Sequence, residues 1–200
     1  MPLIVEQHRE TGQRMEFEFP ADWQVVKYDQ QADPTTAASA GFYWRIIQSA
    51  GVKHIQAMDI VCYLPYSPQR LQFIEIKDDR TRTLNAADRH NELYEAVLGK
   101  TLGTLAGLAL AERLRDESLQ SVAILSQQPA IEVVLFLLEP PPITAENTGS
   151  RRALRRLARA ERKTTLDQRL TAALREWGLS FKLYNLTNRP PTPWEVRDLA

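Results

Sequence analysis

Two neighbouring apolar runs constrain this chain more than any other feature of its sequence. His54 to Leu64 contains IQAMDIVCYL, and Leu71 to Lys77 reads LQFIEIK. Both are dense in Ile, Val, Leu and Phe, and the Pro-punctuated turn PYSPQR stands between them. They read as consecutive strands of a hairpin. Such a pair must cover its apolar surface with other elements, and helical patterns on either side supply the cover. The chain therefore reads as α/β, a mixed central β-sheet flanked by helices.

The rest of the chain extends this plan. Leu3 to Phe19 alternates and breaks at Thr11-Gly12, giving an N-terminal β extension of two strands. Asp22 to Tyr28 fits strand or helix equally. Thr35-Thr36 can cap a helix over Ala37 to Ser49, with Gly51 past its end; its Phe42, Tyr43 and Trp44 read as packing. A long helix is predicted from about Ala86 to Glu117, with a broad apolar face of Leu93, Val97, Leu102, Leu105, Leu108 and Leu114. Gly99, Gly103 and Gly107 recur every fourth residue there, which implies close packing on the sheet. Ile131 to Leu138 is apolar almost throughout, as in a strand buried on both faces. A second helix follows from about Ser150 to Trp177, closed by Gly178, then a last strand from Phe181 to Leu186 and a Pro-containing tail.

Composition narrows the class. The chain has 200 residues, 44% hydrophobic and 25% charged, which suits one globular domain spanning residues 1–200 rather than a disordered chain. Basic and acidic side chains number 25 each. That balance withholds the direct signal of a nucleic-acid binder, a strongly basic total. The single cysteine, Cys62, rules out an internal disulfide framework, and His8, His54 and His90 lack zinc-motif spacing. The N-terminus is not patterned as a secretory signal, and no apolar run approaches membrane-spanning length. A cytoplasmic protein with no membrane association is expected.

The chemistry sits on the hairpin. On a strand, alternate side chains share a face, so Glu75 and Lys77 project together while Ile74 and Ile76 point the other way. Asp59 lies within the preceding apolar run, and pairing of the two strands can set it beside Glu75. Two close carboxylates repel each other, and a divalent cation removes the conflict. Donors that are all oxygen favour Mg²⁺, Mn²⁺ or Ca²⁺ over zinc. The Lys77 amine would then lie near a metal-bound water, and it could orient that water or stabilise developing phosphate charge. The bland alternative is a Glu75–Lys77 ion pair on a sheet face, capped by Asp59.

Asp59 followed by Glu75-Ile76-Lys77 resembles the active-site signature of the PD-(D/E)xK nuclease superfamily. The longer runs GVKHIQAMDIV and LQFIEIKDDR are also similar to bacterial members of it. The resemblance implies a restriction-endonuclease-like αβββαβ core over residues of about 36–138, with the N-terminal hairpin at about 3–19 and a basic helix and strand at about 150–186 outside it. It implies Mg²⁺ (or Mn²⁺) held by Asp59, Glu75 and the main-chain carbonyl of Ile76, with Lys77 assisting the attacking water. Relatives often take a further acidic ligand from the helix before the hairpin. The predicted Ala37–Ser49 helix has none, so Asp29, or Asp33, is the substitute, with Asp29 better placed. Met58 stands where the signature's name has proline. The implied activity is metal-dependent cleavage of phosphodiester bonds in nucleic acid, chiefly DNA, by an endonuclease-like enzyme that works as a homodimer or beside a partner protein. The alternative is a catalytically degenerate module of the same fold that binds nucleic acid or a protein partner.

Other signals bear on this reading. Arg80 and Arg82 follow the signature and are candidates for phosphate contact. Arg151, Arg152, Arg155, Arg156 and Arg159 recur at helical spacing and could follow a phosphate backbone, with the solvated helix face as the bland alternative. Gly99-Lys100-Thr101 is not a phosphate-binding loop, because Tyr94 stands where that motif needs a glycine. Lys100 is still a candidate to face the site from the long helix. Cys62 lies on the strand face opposite Asp59 and reads as core.

Overall fold

The computed structural model describes residues 1–7, 12–32, 40–51, 54–66, 68–80, 86–138, 150–186 and 194–199; side chains at 86–89, 150–159, 162 and 199 lie outside that description. Among the described residues there are eight strands: β1 (Leu3–Gln7), β2 (Arg14–Glu18), β3 (Gln24–Lys27), β4 (Ile60–Leu64), β5 (Arg70–Asp78), β6 (Ala130–Leu138), β7 (Ser180–Tyr184) and β8 (Glu195–Leu199). Two long helices, α1 (Ala86–Leu114) and α2 (Ser150–Glu176), join β5 to β6 and β6 to β7. None of the helices among the described residues is long and apolar enough to cross a membrane.

The strands form two sheets. Five make a mixed sheet in the order β3-β4-β5-β6-β7, and three make an antiparallel sheet in the order β1-β2-β8. In the larger sheet β3, β4 and β5 run antiparallel, and β5, β6 and β7 run parallel. Helical crossovers are what parallel neighbours require. The α/β class and the mixed sheet therefore hold, but the flanking is asymmetric. Leu93, Val97 and Leu108 of α1 and Leu166, Leu170 and Leu174 of α2 pack on the same sheet face, with Phe73, Val133 and Leu135. The opposite face, carrying Ile60, Ile74, Val134 and Phe136, is covered by the small sheet through Met15, Phe17 and Trp194. β6 thus buries both faces, as its unbroken apolar run requires.

The undecided stretch Asp22–Tyr28 contains β3. The Pro-containing tail corrects one expectation, since it returns as β8 and pairs with β2. Its anchor is Trp194, fully buried against Phe17, Phe19, Phe136 and Tyr184. The helix expected over Ala37–Ser49 is a π-type turn at Tyr43–Gln48, in which Ser49 N–H donates to the Trp44 carbonyl at 3.3 Å; residues 33–39, with Asp33 and the Thr35-Thr36 cap, lie outside the described residues. Phe42 and Tyr43 are core, as expected.

The α1 face is also narrower than predicted. Leu102 and Leu114 are exposed, and the inward stripe runs Leu93, Val97, Thr101, Thr104, Leu108 and Ala111. Two glycines make it possible. A Cβ at Gly103 would stand 1.9 Å from the Gln56 carbonyl oxygen, and one at Gly107 would stand 2.1 Å from the Tyr28 hydroxyl. At Gly99 a Cβ would meet none of the described residues within 4 Å.

Candidate active site

Glu75 and Lys77 emerge on the helix-bearing face of β5, while Ile74 turns to the small sheet. The register that pairs Ile60 with Ile74 sets Asp59, one residue before β4, beside Glu75. Asp59 N–H donates to the Ile74 carbonyl at 3.1 Å, and the Asp59 carbonyl accepts from Tyr28 N–H at 2.9 Å. The Asp59 carboxylate then takes over from the backbone, with Oδ2 accepting the Ile76 N–H at 2.6 Å.

β4 begins later than the sequence predicts because the residues before Asp59 are bound elsewhere. The Ile55 carbonyl accepts from the Tyr43 hydroxyl at 2.6 Å and from Gln48 Nε2 at 3.1 Å. Met58 N–H donates to Thr104 Oγ1 of α1 at 2.9 Å. With α1 pressed against Gln56 through Gly103, these bonds fix the approach to Asp59. Sheet, turn and α1 together position one carboxylate.

The two carboxylates share a cation, and it is an ammonium. Lys100 Nζ of α1 lies 2.7 Å from Glu75 Oε2 and 3.3 Å from Asp59 Oδ1. Lys77 Nζ approaches Glu75 Oε1 to 2.6 Å, out of line for a hydrogen bond, so this oxygen is buried without a hydrogen-bond partner. Glu75 is 0% exposed. Burial and the neighbouring Asp59 push its pKa up to about 7, with Lys100 and Lys77 pulling it down. Burial also works against the Lys100 charge, but Glu75 and Asp59 outweigh it and hold that ammonium above its ordinary range.

Asp29, just past β3, adds a third acid. Its main-chain carbonyl accepts from Trp44 Nε1 at 2.7 Å, while its Oδ1 is buried with no hydrogen-bond partner among the described residues. Burial, then Asp59 and Glu6, raise its pKa to about 7. Glu6 of β1 pairs with Lys27 at 3.0 Å and also feels Asp59 and Glu75. Sequence reading missed Glu6 and Lys27. The alternation that turns Ile4 inward turns Glu6 inward too, which was the available signal. Among the described residues, no group of three or more His, Cys, Asp or Glu side chains converges as a metal cage.

The remaining predicted residues sit apart from this cluster or outside the description. Arg80 binds both Asp78 oxygens and reaches Asp198 of β8 at 2.6 Å, so its charge is already matched by two carboxylates. Arg82 lies outside the described residues. Arg151, Arg152, Arg155, Arg156 and Arg159 fall in the first turns of α2, with side chains outside the description. Cys62 is buried on the small-sheet face, where burial pushes its thiol pKa well up. Comparison with family models, with curated proteins and with solved structures gives no match.

Proposed function

We propose that this chain is a metal-dependent phosphodiester hydrolase of the nuclease type, acting on nucleic acid and chiefly on DNA. The observation that carries the reading is the convergence of Asp59 and Glu75 on one cation position, with Lys77 beside Glu75 on the same strand face. The topology accords with it. An antiparallel β3-β4-β5 set followed by parallel β6 and β7 is compatible with a restriction-endonuclease-like core.

The donors suit a hard divalent ion. All are oxygens, and one buried Glu75 oxygen has no hydrogen-bond partner. Asp59 and Glu75 would hold Mg²⁺ or Mn²⁺ with the main-chain carbonyl of Ile76. The Ile76 N–H faces Asp59, and within an extended strand the carbonyl of the same residue points to the same edge. Asp29 is a further carboxylate within electrostatic reach of Asp59. When bound, the ion supplies positive charge against the phosphoryl oxygens. Lys77 orients the attacking water and meets the charge that builds on phosphate. Glu75 holds the Lys77 ammonium toward the site, and the apolar strand beneath fixes both groups.

The test is incubation of the purified chain with DNA and RNA in Mg²⁺ or Mn²⁺, beside Lys77→Ala and Glu75→Ala. The Lys77→Ala variant should cleave about 10²- to 10⁴-fold more slowly, and Glu75→Ala should not cleave. Cleavage that survives both substitutions would belong to a contaminant and end the reading. One observation favours a second reading, a catalytically degenerate module that binds nucleic acid or a protein partner. Lys100 already neutralises both carboxylates. Nucleic-acid binding with no cleavage under either ion would decide for it.

A further inference from the structure

We propose that Lys100 is a resident counter-ion of this site, which holds the cation position while no metal is bound and withdraws when a divalent ion enters. The inference rests on reading Asp59 and Glu75 as the metal pair. It concerns a residue that the nuclease reading leaves without a role.

Three observations carry it. Asp59 and Glu75 stand side by side across two strands, with Glu75 fully buried, so both cannot remain ionised without positive charge between them. Lys100 supplies that charge to both, at 2.7 and 3.3 Å, whereas the Lys77 contact is with Glu75. Lys100 also stands at the border of the inward stripe of α1, one residue before Thr101, where Val97, Thr101 and Thr104 are all 0% exposed.

The ammonium and a metal ion cannot be bound together there. A divalent ion held by Asp59 and Glu75 would stand between the same two carboxylates as the ammonium, and its charge would repel the ammonium across a few ångströms of poorly solvated protein. Withdrawal requires no movement of the helix. The Lys100 side chain keeps 14% of its surface exposed, and its stem is flexible. Metal loading is then an exchange of one cation for another. The metal-free fold is protected by Lys100, and metal affinity is lowered by it.

The experiment measures Mn²⁺ binding, by calorimetry or by the signal of free Mn²⁺, to wild type, Lys100→Met, Lys100→Gln and Glu75→Gln. Melting temperatures are taken in chelator and in Mn²⁺. Both Lys100 variants should bind Mn²⁺ at least about tenfold more tightly than wild type. They should melt lower than wild type in chelator and recover more on adding Mn²⁺. Lys100→Gln keeps a polar group near the carboxylates and serves if Lys100→Met does not fold. Binding to the Lys100 variants that is equal to or weaker than wild type, with Glu75→Gln unable to bind, would overturn the exchange while leaving the metal pair in place. Absence of Mn²⁺ binding in wild type and both Lys100 variants would overturn the exchange together with the reading beneath it.

Discussion

The two faces of the five-stranded sheet are built from the same strands and do different work. The face under the small sheet is apolar and aromatic: Phe17, Phe19, Phe136 and Tyr184 surround Trp194, and Ile60, Ile74 and Val134 lie beneath. The face under the helices also carries an apolar core, with Phe73, Val133 and Leu135, yet at the Asp59–Lys77 end it holds two carboxylates and two ammonium groups. β5 belongs to both. Its Ile74 stabilises by leaving water, and its Glu75 costs free energy by leaving water. A strand that buries charge on one face needs surplus stability from the other.

The largest expected effect breaks the apolar side. Trp194→Ala removes the centre of the aromatic cluster and leaves Gln72 Oε1 without the indole N–H that it accepts at 3.0 Å. The loss should be about 3–5 kcal/mol of unfolding free energy in urea. If this face serves stability alone, Mn²⁺ affinity of the folded variant will match wild type. A variant that stays folded but no longer binds Mn²⁺ would show the two faces to be coupled.

The helix-bearing side was the more legible of the two. Period-two alternation around Glu75 predicts which side chains share a face, and an Asp within an apolar run marks the partner strand. The α1 stripe was harder, because leucine counts do not fix helix phase. Leu102 and Leu114 look like core by composition and are 52% and 54% exposed, whereas Thr101 and Thr104 are buried by bonding to main chain. Lys100 was legible as a candidate to face the site from the long helix, but its two carboxylate partners were not, because a charge on a helix becomes meaningful only when its partners are known. The closure of the small sheet by β8 was not legible. EVRDL carries three charges in five residues, and its place depends on Trp194 and on Arg197 meeting Glu18 at 2.7 Å, a pairing that spans nearly the whole chain.

Next in size is the contact that seats Lys100. Gly103→Ala would drive a methyl group into the Gln56 carbonyl, 1.9 Å from the ideal Cβ position, so either α1 or the Ile55–Met58 segment must move. A cost of about 1–3 kcal/mol is expected in urea unfolding. Because that segment leads into Asp59, Mn²⁺ binding should weaken as well. Destabilisation without any change in Mn²⁺ affinity would separate α1 packing from the site.

The pH dependence of stability tests the buried acids. Asp29 has its pKa raised to about 7, so the folded state holds a proton that the unfolded chain has already released. Its contribution is fully present below the ordinary carboxylate pKa and is lost as pH rises through about 7; Glu75 acts in the same direction. Wild type should therefore lose stability between about pH 4 and pH 7 and level off above. Asp29→Asn should flatten this slope, matching wild type near about pH 4 and exceeding it by on the order of 1 kcal/mol near about pH 8. Parallel urea-midpoint curves for the two proteins would rule out Asp29 as a source of the slope.

The smallest effect has the opposite sign and is the strictest check on where α1 touches the sheet. Gly99 lies one turn from Gly103 on the same helix, but a Cβ there meets none of the described residues within 4 Å. In a helix interior, Ala is favoured over Gly by about 0.5–1 kcal/mol because it has less backbone freedom to lose on folding. Gly99→Ala should therefore raise the urea midpoint, whereas Gly103→Ala lowers it. Loss of stability in Gly99→Ala would place α1 closer to its surroundings at this turn than the open space around Gly99 allows.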